Sequence, residues 1–74
     1  MYYVYVLKNG KSEFYIGYTN DLERRLAEHQ NREDPTYCLI YYEAYTHEQQ
    51  ARDGERKLKH HGSAWRGLKR RITA

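Results

Sequence analysis

Arg25, His29 and Glu55 are the residues of this 74-residue chain whose type and position ask for more than folding. The stretch from Phe14 to His29 begins as a strand carrying Tyr15, turns at Gly17 and enters a helix. At about 100° per residue, Leu22 and Leu26 lie within about 40° of each other and define a core-facing stripe. Arg25 and His29 fall on the same side, about 60° and 20° from Leu22, while Arg24 and Glu28 point towards solvent. Glu55 belongs to a later helix, on a face shared with Ala51, Gly54 and Leu58. A cation, an imidazole and a carboxylate among apolar positions, beside a tyrosine-bearing strand, are placed to meet a ligand. The structural alternative is a buried ion pair between Arg25 and Glu55. Such a pair is a weak source of stability, because desolvating both charges costs about what their attraction returns. It also leaves His29 and the hydroxyls of Tyr5 and Tyr15 without a purpose.

The elements that must carry these residues follow from pattern. Tyr2-Tyr3-Val4-Tyr5-Val6-Leu7 is β-branched and aromatic, and predicts the first strand. Asn9-Gly10-Lys11-Ser12 supplies turn chemistry, and Phe14 to Tyr18 returns as the second strand of a hairpin. A helix from about Asp21 to Gln30 follows, with Asn20 as its cap and Glu23 completing a capping box. Tyr37 to Tyr45 predicts a third strand, apolar enough to be the central one, with Cys38 a buried structural thiol. Thr46 with Gln49 opens a second helix that runs to about His60 and closes at Gly62. Gly54 inside it costs roughly 1 kcal/mol against alanine, which points to close approach of another backbone. Ser63 caps a last helix with Trp65, Leu68 and Ile72 inward. The order ββαβαα describes an α+β fold, a three-stranded antiparallel sheet flanked by helices, in one domain over residues 1–74.

Size allows one modest core. Nine tyrosines in a chain of net charge +3 suit a polar cleft or a nucleic-acid surface better than an apolar pocket. The positive excess lies between Arg56 and Arg71, usually a solvated face and less often a phosphate-binding one. A single cysteine excludes an internal disulfide framework and multi-cysteine metal sites. No run is long enough to span a bilayer and no signal peptide is legible, so a reducing, cytoplasmic setting is expected.

Tyr3-Val4-Tyr5, Tyr15-Ile16-Gly17, Arg25-x-x-x-His29 and Glu55, in this order and spacing, resemble the GIY-YIG nuclease superfamily, its small single-domain bacterial members above all. The resemblance covers nearly the whole chain. It implies that Tyr5 and Tyr15 are the two motif tyrosines, that Arg25 contacts the scissile phosphate, and that Glu55 binds a single divalent metal, Mg2+ or Mn2+. His29 occupies the position four residues after the arginine, and Gly17 is the motif glycine where backbone approaches backbone or ligand. Tyr18 stands where many such nucleases carry lysine. The asparagine that larger members carry after the metal glutamate is absent.

The implied activity is metal-dependent hydrolysis of DNA, on structured or repair-related DNA with low sequence specificity. Hydrolysis needs an activated water, neutralised phosphoryl charge and help for the leaving oxygen. A metal ion can act as Lewis acid, Arg25 can present a donor fork to phosphate, and a tyrosine or His29 can take a proton. A tyrosine base needs its pKa lowered from about 10 by nearby positive charge. Beside such a cleft, Gly17, Tyr18, Lys57, Arg66, Lys69 and Arg70 are the candidates for DNA contact. Two alternatives use the same fold: a catalytically weak nucleic-acid-binding module, and a protein that relies on a protein partner for targeting.

Overall fold

The computed structural model describes residues 1–73. Strands β1 (Tyr2–Lys8) and β2 (Phe14–Thr19) form a hairpin, helix α1 (Leu22–Arg32) leads to strand β3 (Cys38–Tyr45), and helices α2 (Glu48–His60) and α3 (Gly62–Ile72) complete the chain. The α+β class, the antiparallel sheet and the order ββαβαα are those expected from the sequence. No helix among the described residues is long and apolar enough to cross a membrane.

The strand order is β2-β1-β3, so β1 is central and β3 is an edge. This corrects the expectation that β3 occupies the middle. The continuous run Val4-Tyr5-Val6-Leu7 is almost completely buried, as a strand covered on both faces must be. The apolar content of β3 is largely tyrosine, which tolerates an edge because its hydroxyl can leave the core. Tyr41 and Tyr45 do so by donating to Glu43 at 2.6 and 2.7 Å. Cys38, the first residue of this edge strand, is exposed rather than buried.

Alternation along β1 separates two faces. Val4 and Val6 pack with Ala51 and Leu58 of α2 and Leu68 of α3, with Trp65 and Ile72 against them. Burial of each aliphatic side chain stabilises by about 1.5–3 kcal/mol. Gly54 lets α2 press onto this face, because an added Cβ would lie 3.3 Å from Val4 and 3.1 Å from the Tyr45 hydroxyl. Tyr5 points the other way, and α1 lies over it through His29.

The helix ends differ from their predicted caps. β2 extends to Thr19, so Asp21, not Asn20, caps α1 and accepts from the Arg24 amide at 3.1 Å. α1 runs on to Arg32. His47 is the N-cap of α2, in place of Thr46, with no side-chain cap bond. An extended His61 both ends α2 and starts α3, so Gly62 and Ser63 fall inside the last helix. No glycine has positive φ, so Gly62 forms no left-handed cap. In the β1–β2 turn, Asn9 is buried and its Oδ1 accepts from the amides of Lys11 and Glu13 at 3.0 and 2.9 Å.

Candidate active site

Tyr5 is the centre of the polar face. Its strand partners in register are Gly17 on β2 and Tyr42 on β3. A methyl carbon at Gly17 would fall 2.5 Å from Tyr5 Cζ and 2.8 Å from Tyr15 Cε1. The glycine is therefore required by the ring of Tyr5, not by backbone conformation. It is buried and offers no side chain to DNA. The rings of Tyr5 and Tyr15 stack with centroids 6.1 Å apart.

His29 closes over this pair from α1. It is 2% exposed, its Nε2 is 3.0 Å from the Tyr5 hydroxyl, and its ring centroid is 4.4 Å from that of Tyr15. Its Nδ1 is 2.6 Å from Oε2 of Glu33, the residue that ends α1. Arg25, one turn earlier, brings its positive charge near the Tyr5 hydroxyl. Burial pushes the Tyr5 hydroxyl up to about 12, against the opposing effect of Arg25. Tyr5 is therefore protonated at neutral pH, and the lowered pKa that a tyrosine base would need is not found at this position.

Glu55 approaches from α2 past the edge strand β2. Its charge adds to the raising of Tyr5, and Lys59 joins it to the tyrosines, with Nζ 3.2 Å from Glu55 Oε2 and 5.9 Å from the centre of the Tyr15 ring. Tyr5, Tyr15, Arg25, His29 and Glu55 thus share one neighbourhood, while Arg24 pairs with Asp21 in solvent. Arg25 does not pair with Glu55. Its partner is Glu28 at 2.9 Å, which lies alongside it instead of pointing into solvent. The buried Arg25–Glu55 ion pair is therefore excluded as the reason for either residue.

An open groove of about 450 Å3 borders Glu55, lined by Tyr18, Gln49, Arg52, Asp53 and Arg56. The Tyr18 hydroxyl donates to Glu48 at 2.5 Å, and the Arg52 guanidinium sits 5.4 Å over the Tyr18 ring. Arg52 and Arg56 were not legible as site residues, because each also reads as half of an ordinary helix ion pair with Glu48 or Asp53. Lys57 is exposed and about 200° around α2 from Glu55, on another side of the helix. Arg66, Lys69 and Arg70 are exposed on α3, and Lys69 lies 4.9 Å over the Phe14 ring.

Tyrosines, a histidine and an arginine thus cluster on one sheet face, with Glu55 brought in from α2. The chain belongs to the GIY-YIG family, whose members comprise endonucleases: the model of the GIY-YIG catalytic domain matches residues 1–69. Among similar proteins, a UPF0213 protein of Streptococcus pneumoniae is 36% identical, over 77% of this chain and 65% of its own length. A UPF0213 protein of Bacillus pumilus is 34% identical, over 78% of this chain and 66% of its own length. One from Natronomonas pharaonis is 34% identical, over 99% of this chain and 91% of its own. The chain thus spans just under two thirds of the first two relatives. No solved structure matches it.

Proposed function

We propose that this protein is a metal-dependent endonuclease that hydrolyses phosphodiester bonds of structured or repair-related DNA with low sequence specificity. The observation that carries this reading is the meeting of Tyr5, Tyr15, Arg25 and His29 with Glu55 at the rim of an open groove. An ion pair or a core-filling role would not need a protonated tyrosine between a guanidinium and an imidazole.

No group of three metal-ligating side chains exists among the described residues, which disfavours a zinc type of centre. A lone carboxylate completed by waters and substrate phosphate is how Mg2+ is commonly held, so the donor set fits Mg2+ or Mn2+, with Glu55 as the protein ligand. Bound there, the ion supplies Lewis-acid polarisation of a phosphoryl oxygen. Arg25 offers its planar fork to the phosphate, held in direction by Glu28. The proton of the attacking water would pass to the pair formed by the Tyr5 hydroxyl and His29 Nε2, 3.0 Å apart. Arg52 and Arg56, ion-paired with Glu48 and Asp53, are the cations lining the groove beside Glu55 and the candidates there for contact with the phosphate backbone.

A panel of duplex, flap, fork and junction DNAs, each with and without Mg2+, tests the reading. Nicking that needs Mg2+ and prefers one of the branched substrates is the expected result. Binding without nicking on every substrate would leave a nucleic-acid-binding module instead.

A further inference from the structure

Glu33 has no assigned task, yet it makes one of the shortest polar contacts to the site. Its carboxylate lies 2.6 Å from Nδ1 of the buried His29. Its place is unfavourable for the helix: Glu33 is the C-cap of α1, where the helix dipole opposes a negative charge. Its side chain is about half exposed, so it adds little to the core, and among the described residues no other carboxylate is hydrogen-bonded to the ring. The remaining groups around His29 are Tyr5 from β1, Tyr15 from β2 and Tyr37 from the segment before β3. Arg25 and Glu55 face Tyr5 from α1 and α2.

The contacts on the two ring nitrogens set the arrangement of protons. A carboxylate can only accept, so Glu33 places the imidazole proton on Nδ1. The Tyr5 hydroxyl lies 3.0 Å from the other nitrogen, Nε2. Nε2 can accept only if the imidazole proton is on Nδ1, where Glu33 receives it.

We propose that Glu33 is a positioning residue of the site, holding His29 as the Nδ1–H tautomer so that Nε2 accepts the proton of Tyr5. Resting on the nuclease reading, this gives a complete path for the proton. As the water oxygen bonds to phosphorus, its proton passes to the Tyr5 oxygen, and the original Tyr5 proton moves to His29 Nε2. The imidazolium so formed is balanced by Glu33. The bond from phosphorus to the leaving oxygen breaks, that oxygen takes a proton from solvent, and His29 returns its proton to solvent after release. Tyr5 never has to exist as a free phenolate, which suits a hydroxyl so hard to ionise.

The test combines nitrogen-detected NMR of His29 with nicking kinetics on wild type, Glu33→Ala and Glu33→Asp, in Mg2+. Wild type should carry the imidazole proton on Nδ1. Glu33→Ala should melt within a few degrees of wild type, show a large Nε2–H population, and lose about 10- to 100-fold in kcat with KM unchanged. Glu33→Asp should restore part of both. An Nε2–H tautomer in wild type, or an unchanged tautomer in Glu33→Ala, overturns the proposal. So does a Glu33→Ala variant that switches tautomer yet nicks at the wild-type rate. A wild type that nicks no DNA overturns the nuclease reading and the proton path with it, while the NMR result still decides whether Glu33 fixes the imidazole.

Discussion

The two faces of the sheet are built from the same strand and obey different rules. Val4 and Val6 of β1 look towards α2 and α3 and are sealed by Ala51, Leu58 and Leu68. Tyr5, one residue from each, looks towards α1 and meets a histidine, an arginine and a second tyrosine. On the first face stability comes from area removed from water and depends on shape. On the second, every buried side-chain polar atom among the described residues has a partner, and the partners constrain direction. A small domain can afford this because one well-packed face holds the fold while the other holds the polar cluster.

Four experiments break or sharpen that division. Glu55→Gln should lower Mg2+-dependent nicking by at least about 10³-fold while the protein melts as before, since its ion-pair partner among the described residues is the exposed Lys59. A variant that melts far lower but nicks at the wild-type rate while folded would remove Glu55 from metal binding. Leu68→Ala acts on the other face and should cost about 2–5 kcal/mol in denaturant unfolding, with the folded fraction nicking at the wild-type rate. A specific loss of kcat in that variant would show that the faces are not separable.

Gly17→Ala joins the two faces' requirements at one point. The methyl group collides with the buried Tyr5 ring, so it should cost roughly 1–3 kcal/mol and also depress nicking as the hydroxyl shifts from His29. A stable, fully active variant would contradict the packing described. The smallest effect concerns the outer charges. Neutralising Arg52 and Arg56 beside Glu55 should weaken DNA binding and reduce its salt dependence more than neutralising Lys69 and Arg70 on α3. The reverse order would move the DNA path from the groove to α3.

Alkaline titration gives an independent reading of the polar face. Tyr5 ionises near its ordinary 10.0 when unfolded and near 12 when folded, so the folded state holds the proton longer. Its contribution to stability is whole below pH 10 and is lost as pH rises towards 12. Tyr41 and Tyr45, also pushed up to about 12, act in the same direction. Melting temperature should therefore fall above pH 10, and less steeply in Tyr5→Phe. An equal slope in that variant would assign the alkaline loss to the other tyrosines.

The sequence by itself determined the element order and the inward sides of α2 and α3, and it singled out Tyr5, Arg25, His29 and Glu55. These are properties of period and residue type, and a residue's direction on its own helix or strand needs nothing from elsewhere. The order of strands in the sheet was not legible, because apolar content cannot distinguish a central strand from a tyrosine-rich edge. Nor was the choice of partner: Glu55 was the carboxylate in view for Arg25 and Glu28 was expected in solvent, and only packing put Glu28 at 2.9 Å and left Glu55 to Lys59. Glu33 lies beyond the predicted helix end near Gln30, and only the longer α1 and its C-cap turn its carboxylate onto His29. Distances between side chains on different elements depend on how those elements dock. Docking is set by the summed shape of the buried face, so local sequence cannot announce it.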